Sequence, residues 1–295
     1  MTEIVVFNNY YIYAAAKIKK KEGKNIVACK DAYENNQLIK KKEFIDSLLL
    51  EPQEPEVVSN LLFGVDSQIC SHNMLQNNID QFEWVLRNKV YPSFWGRNIV
   101  GENALTKEEI QFLHNKACKV AAIYCGEDEK ETEIQGVILA SKVVLKATEL
   151  GIPFGKAIFL DLGYDGVATT AFMREYAKFL LNEGYLPGFI ANTDAMSNRF
   201  DLEFSRGLQT DRDIFNKCLI WAITPTLEEY DNITTSHIIH PDFWKPYAPS
   251  GITRKNIAIW RYGKNCHTIY DDNDQLTSFN LNLVRNKEVI IERMI

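Results

Sequence analysis

The sequence predicts an α/β protein, a (β/α)8 TIM-type barrel preceded by a small α+β N-terminal segment. Short apolar runs alternate with helical patterns from residue 59 onward, and strands linked through helices pair in parallel. Seven or eight such units suit a closed barrel at this length better than an open doubly wound sheet, which stands as the alternative. A proline- and glutamate-bearing stretch separates residues 1–58 from the rest.

Within residues 1–58, Ile4-Val5-Val6-Phe7 and Tyr10-Tyr11-Ile12-Tyr13 read as strands, with Asn8-Asn9 as the turn because Asn tolerates positive φ. Lys41 to Leu50 reads as a short helix. The clusters Lys19-Lys20-Lys21 and Lys40-Lys41-Lys42 are balanced by nearly as many acids, so a solvated face is expected. Glu51-Pro52-Gln53-Glu54-Pro55-Glu56 is a stiff, solvated spacer. The segment is expected to be an appendage or adaptor that can dock a protein partner, with the barrel as residues 59–295.

In the barrel, Leu61-Leu62-Phe63-Gly64-Val65 is a buried strand bounded by polar residues, and residues 74–88 repeat at helical spacing through Met74, Leu75, Ile79, Phe82, Val85 and Leu86. Tyr91 to Ile99 is the second strand. Thr106-Lys107-Glu108-Glu109 is a capping box in which Glu109 reaches back, and its helix carries Ile110, Leu113 and Ala117. Lys119 to Tyr124 is the third strand. A long helix from Thr132 to Leu150 is stopped by Gly151-Ile152-Pro153. Ala157-Ile158-Phe159-Leu160, a helix over Ala171 to Asn182, Gly188-Phe189-Ile190-Ala191, a helix over 197–208 and the strand Cys218 to Ile223 continue the alternation. A seventh strand falls somewhere in the irregular residues 225–255, and Ile257-Ala258-Ile259-Trp260 is the last.

Composition excludes several classes. A net charge of −6 argues against a nucleic-acid partner, whose phosphates are neutralised by Lys and Arg. No stretch of 18 uncharged apolar residues is present, so no membrane partner is expected. The first residues carry Glu3 where a secretion signal needs basic charge, so the chain as written is expected to be cytoplasmic. Six irregularly spaced cysteines read as reduced core thiols. His237 and His240 are three apart, but Pro241 breaks the helix that would align them, so no metal is expected. Phosphate-loop and hydrolase-elbow motifs are absent, and no cofactor is expected.

Reactive groups of such barrels gather where the strands end. Asp66, Arg97, Tyr124, Asp161 and Asp165, Asn192 and Asp194, Trp221, and Trp260 with Arg261 and Tyr262 fall at or near those positions. Carboxylates and a guanidinium ringed by aromatics suit a polyhydroxylated ligand: ring faces cover a sugar while charged groups take its hydroxyls. Each also has a plain structural reading: Asp66 as a helix cap, Arg97 in an ion pair, Trp221 and Trp260 as packing.

Phe63-Gly64-Val65-Asp66, Gly96-Arg97-Asn98, Leu105 to Ile110, Ile123-Tyr124, Leu150-Gly151-Ile152-Pro153, Ile158-Phe159-Leu160-Asp161, Gly184-Tyr185 and Ile259-Trp260-Arg261-Tyr262 together resemble a bacterial glycoside-hydrolase-like domain of unknown function, a TIM barrel related to the family 25 muramidases. The resemblance covers about residues 60–285. It implies action on peptidoglycan or a related glycan, with Asp161 or Asp165 as acid or electrostatic stabiliser and Asp66 as second carboxylate. Arg97, Tyr124, Asn192, Asp194, Trp221, Trp260 and Tyr262 would bind substrate. The muramidases' Asp-x-Glu is here Asp161-Leu162-Gly163, a late Asp is replaced in Asn280-Leu281-Asn282, and the usual Gln between Trp and Tyr is Arg261. The alternative is a non-catalytic glycan-binding or scaffold barrel that has lost its general acid at Gly163.

Overall fold

The computed structural model describes residues 56–57 and 61–295 except 77, 88–90, 167, 195–198, 228–242 and 271–275, and gives no side-chain placement for 56, 57, 267–270, 276 and 277. The strands and helix expected before residue 51, the Pro/Glu spacer and the His237/His240 pair lie outside the described residues.

Eight strands close a barrel: β1 (Leu62–Ser67), β2 (Phe94–Asn98), β3 (Lys119–Tyr124), β4 (Ala157–Asp161), β5 (Leu186–Ala191), β6 (Leu219–Leu227), β7 (Ile257–Tyr270) and β8 (Leu276–Val284). Their order around the barrel is β8-β1-β2-β3-β4-β5-β6-β7. Around them lie α1 (Gln81–Arg87), α2 (Lys107–Asn115), α3 (Glu133–Leu150), α4 (Thr170–Asn182), α5 (Phe200–Thr210), the short α6 (Arg212–Phe215) and α7 (Lys287–Arg293).

The barrel departs from the expected all-parallel form in its eighth strand. β1 to β7 run parallel, but β8 runs antiparallel to both β7 and β1. Only the five residues 271–275 separate β7 from β8. A connection that short cannot carry a crossover helix, so the strand must turn back. No barrel strand forms among the described residues of 225–255 beyond the end of β6. The strand expected to be the last and to stop at Trp260 is β7, which runs on to Tyr270 and is followed by β8.

Two helical expectations are also corrected. Met74 pairs with Asp80 in an isolated antiparallel bridge, Asn78 stands at φ 60, and the helix begins only at Gln81. Ala117 lies beyond α2 with φ 52. Thr106 caps α2 by accepting from the Glu109 N–H, as expected, but the Glu109 side chain does not reach back. It points inward to the Arg97 guanidinium, whose charge outcompetes a neutral backbone donor.

Alternation along each strand divides its side chains between two cores. Phe94, Ala121, Ile123, Ala157, Phe159, Ile190, Trp221, Ile223 and Ile259 face inward and fill the barrel. Val65, Trp95, Val120, Ile158, Leu160, Phe189, Ile220 and Trp260 face outward beneath the helices. Trp221 plugs the interior, edge-on to Phe94 and Phe159 at 5.8 and 5.2 Å between ring centroids. A Cβ at Gly96 would lie 2.6 Å from the Asp66 Cβ and 3.0 Å from Trp221, so only glycine leaves room for both at this layer.

α3 is held by a reciprocal capping box between Thr132 and Gln135 and ends on Gly151 at φ 73. It packs closely on α4 at Gly136, where a Cβ would meet the Phe172 carbonyl oxygen at 2.5 Å. Gly136→Ala is therefore expected to destabilise the protein by about 1–3 kcal/mol through overpacking, despite alanine's better helix propensity. Denaturant unfolding of the variant checks this, and a neutral or stabilising result would mean that the two helices part at little cost.

No helix among the described residues is long and apolar enough to cross a membrane.

Candidate active site at the barrel mouth

Extending the inward register to the C-terminal ends of β1–β7 and to the facing part of β8 brings Asp66, Asn98, Asp161, Arg261, Asn280 and Asn282 to the inward side of the barrel mouth. Cys125 and Asn192, one residue past β3 and β5, share that register. The rim therefore has polar side chains above an apolar barrel.

Asp66 is the most tightly held of them. Arg261 grips it with both arms of its fork, Nε to Oδ1 at 3.2 Å and Nη2 to Oδ2 at 2.8 Å. Asn280 donates to Oδ2 and Asn282 to Oδ1, each at 2.7 Å. Four donors on a carboxylate whose side chain is 8% exposed leave it no free lone pair aimed outward. Trp221 supports the clamp from below. Its Nε1–H donates to Asn282 Oδ1 at 2.8 Å, which turns the amide's donor end toward Asp66. The indole face also lies 5.5 Å from the Arg261 guanidinium carbon, a cation–π contact.

Asp161 is held more loosely and is the more open of the two at 16%. Oδ1 accepts the Gly163 N–H at 2.8 Å, and Oδ2 lies 3.8 Å from Arg261 Nη2. Since the same Nη2 is 2.8 Å from Asp66 Oδ2, the two carboxylate oxygens are no further apart than the sum of those distances. Burial, reinforced by the Asp66 charge, raises the Asp161 pKa against the opposing pull of Arg261, the Gly163 N–H and Lys130. The site thus holds one clamped carboxylate and one that is inclined to keep its proton. Beside it, the loops after β3 and β4 enclose a cleft of about 250 Å³ lined by Asp128, Glu129, Lys130, Glu131, Leu162 and Gly166.

Other sequence-predicted residues lie elsewhere. Arg97 has the outward register and is fully buried, donating to Glu109 at 2.9 Å, to the Ser67 carbonyl at 2.8 Å and to the Asn103 carbonyl at 2.6 Å. Tyr124 also turns outward, and its hydroxyl donates to Asp128 at 2.9 Å. Trp260 is buried under the helices, donating to the Thr224 carbonyl at 2.9 Å and packing edge-on against Trp244. Tyr262 is buried beside it. Trp221 is inside the barrel, below the rim and closed to solvent. Asp165 is exposed in the loop after β4. Asn192 is buried at the rim and accepts the N–H of half-buried Asp194 at 2.9 Å.

The rim residues given no role in the predicted set are Asn98, Cys125, Arg261, Asn280 and Asn282. The signal for Arg261 was the period of two: on one strand Trp260 and Tyr262 must share a face, so Arg261 takes the other. Asn280 and Asn282 sit on the polar side of an alternating strand, whose outward side is Phe279, Leu281 and Leu283. Among the described residues, no three His, Cys, Asp or Glu side chains are grouped to hold a metal ion.

Barrel and rim together define the class: a closed eight-stranded α/β barrel with a carboxylate–guanidinium cluster at its mouth. Among solved structures it is similar in fold to an uncharacterized protein from B. stearothermophilus, at 23% identity and a TM-score of 0.63, covering 79% of this chain and all of that one. Fainter likenesses are to the modular autolysin LytC from Streptococcus pneumoniae (12% identity, TM-score 0.44, 75% of this chain and 46% of that one) and to the bacterial lysozyme from Streptomyces coelicolor (8% identity, TM-score 0.43, 76% and 92%). No protein-family model and no curated protein matches the sequence.

Proposed function

We propose that the barrel mouth acts on a glycan of the bacterial cell-wall type, peptidoglycan or a related polymer, with Asp161 as the general acid. One observation carries this reading: Asp161 is partly open at the rim, and its pKa is raised by burial, as an acid that donates to a leaving oxygen requires. The sequence resemblance to the glycoside-hydrolase-like domain related to the family 25 muramidases supports the choice of substrate.

Asp161 passes its proton to the glycosidic oxygen as the bond to the anomeric carbon breaks, and the electron pair stays on that oxygen. Asp66, with four hydrogen bonds, is poorly placed to be the nucleophile. Its role is to fix Arg261, which in turn faces Asp161. The attacking group then comes from water or from the acetamido oxygen of the sugar itself, as in substrate-assisted glycosidases. Water supplies the final hydroxyl and returns a proton to Asp161.

Release of reducing ends from purified peptidoglycan and soluble glycans tests the reading. Asp161→Asn is expected to lower the rate by about 10²–10⁴-fold. Because Asp161 must be protonated, activity is expected to fall as pH rises through its raised pKa. The same shift has a stability consequence. A raised folded-state pKa gives a contribution that is present in full below the ordinary value of 3.8 and is lost as pH rises through the folded value. Asp161→Asn, which keeps the acceptor for Gly163, is thus expected to melt higher than the native protein at neutral pH, with the gap closing in acid.

Gly163 favours a second reading. It sits where the resemblance expects an acid, at φ 71, a conformation that disfavours any side chain. Glycan binding without cleavage by the native protein and by Asp161→Asn alike would establish a binding barrel instead.

A further inference from the structure

The loop after β3, residues 125–131, folds around one cation. The half-buried Lys130 donates from its ammonium to the Gly126 carbonyl at 3.2 Å and to the Asp128 carbonyl at 2.7 Å. The Asp128 carboxylate is held in turn by the Tyr124 hydroxyl at 2.9 Å and by Lys142 of α3 at 2.7 Å. The turn is tight: a Cβ at Gly126 would lie 2.9 Å from Asp128 Oδ2. At its other end Lys130 accepts, on its backbone carbonyl, the N–H of Thr169 at 3.0 Å, and Thr169 caps α4. One residue thus shapes the loop after β3 and ties it to the end of the loop after β4, the two loops that enclose the cleft beside Asp161. Among the described residues both partners of the ammonium are neutral carbonyls, whereas Lys142 and Lys146 pair with carboxylates. A cation fixed on neutral dipoles keeps its charge free to act on a neighbouring carboxylate.

We infer that Lys130 is a positioning residue of the site proposed above: it holds one wall of the cleft beside Asp161 and is the second cation acting on that carboxylate. The inference rests on Asp161 being the acid. The groups facing Asp161 are Arg261 from β7, Asp66 from β1, the Gly163 N–H from its own loop, and Cys125 and Lys130 from the loop after β3. Arg261 is committed to Asp66 at 2.8 Å and stands 3.8 Å from Asp161. Lys130 has no such commitment. Burial and the Asp66 charge hold the proton on Asp161, and an acid that holds its proton too firmly is a poor donor. The Lys130 charge works the other way. As the proton passes to the glycosidic oxygen, Asp161 becomes a carboxylate, and a fixed cation nearby stabilises that product without having to move.

The test uses the full chain and two readouts that need no substrate. In Lys130→Met the Asp161 carboxyl, followed by its own NMR signal, is expected to titrate at higher pH than in the native protein, since the ionised form has lost a cation. Lys130→Arg keeps the charge and is expected to bring the titration back toward the native value. Lys130→Gln removes the charge but keeps a donor for the loop, so it is expected to give the same direction of shift with a smaller effect on the loop. Cleavage after Glu127 and Glu129 by a glutamate-specific protease is expected to be about 10–10²-fold faster in Lys130→Met, the cost of two hydrogen bonds from a charged group. In the reducing-end assay the alkaline limb of the kcat/KM profile is expected to move to higher pH in Lys130→Met, and kcat/KM below that limb to fall by about 10–10²-fold. A native protein that releases no reducing ends would end the reading of Asp161 as an acid, while titration and proteolysis would still decide what Lys130 does. An Asp161 signal that titrates alike in the native protein, Lys130→Met and Lys130→Gln would overturn the inference, as would a loop cleaved at the native rate in Lys130→Met.

Discussion

Arg261→Met is expected to destabilise the protein by about 3–5 kcal/mol, the cost of leaving a buried carboxylate without its cation. Asp66 would keep only Asn280 and Asn282 as donors, in a position 6% exposed at the top of an apolar barrel. Methionine retains the bulk over Trp221, so the loss reports charge rather than volume. The double variant Arg261→Met/Asp66→Asn is expected to recover most of that loss, because no buried charge is then left unpaired. The same substitution removes the cation that pulls the Asp161 pKa down. The Asp161 carboxyl is therefore expected to titrate at still higher pH, which its own NMR signal checks. A neutral effect on stability would mean that the asparagines alone satisfy Asp66.

Arg97→Met is expected to cost a similar 3–5 kcal/mol. Both members of the Arg97–Glu109 pair are fully buried, and Arg97 also serves the carbonyls of Ser67 and Asn103. Glu109 in turn holds the Ser71 N–H at 2.7 Å, so this pair ties the loop after β1 to α2. Arg97→Met/Glu109→Leu is expected to be more stable than the single variant, since a paired apolar replacement leaves no orphaned charge. The outcome that separates the two arginines is ligand affinity. Loss of Arg97 is expected to leave glycan affinity per folded molecule unchanged, whereas loss of Arg261 is expected to weaken it. Denaturant unfolding followed by binding to soluble glycans measures both, and weakened binding in a folded Arg97→Met would place that residue in the site.

The barrel was readable because its strands and helices are local objects. Lys119 to Tyr124 is a short apolar run wherever it sits, and Gly151-Ile152-Pro153 ends a helix whatever packs beside it. β8 was not readable in that way. Phe279, Leu281 and Leu283 alternate with Asn280 and Asn282, the pattern of a strand with one wet face, and the polar face points into the barrel mouth instead. The rim was half readable. Asp66 and Asp161 stand at strand ends in the chain and at the mouth in space, but Arg97, Tyr124 and Trp260 also stand near strand ends and turn away from it. Proximity to a strand end selects the layer, and only the alternation selects the face.

The sequence by itself determined the run of strands and helices, the caps and stops that bound them, and the polar residues placed to reach the rim, because these follow from backbone preference and local periodicity. The tertiary structure decided which partner each charge took. Arg261 binds Asp66, which lies 195 positions away, and Asn282 reaches the same carboxylate across 216 positions. Those contacts exist only once the antiparallel β8 has closed the barrel between β7 and β1, since an ion pair depends on distance in space and the chain records only distance along itself.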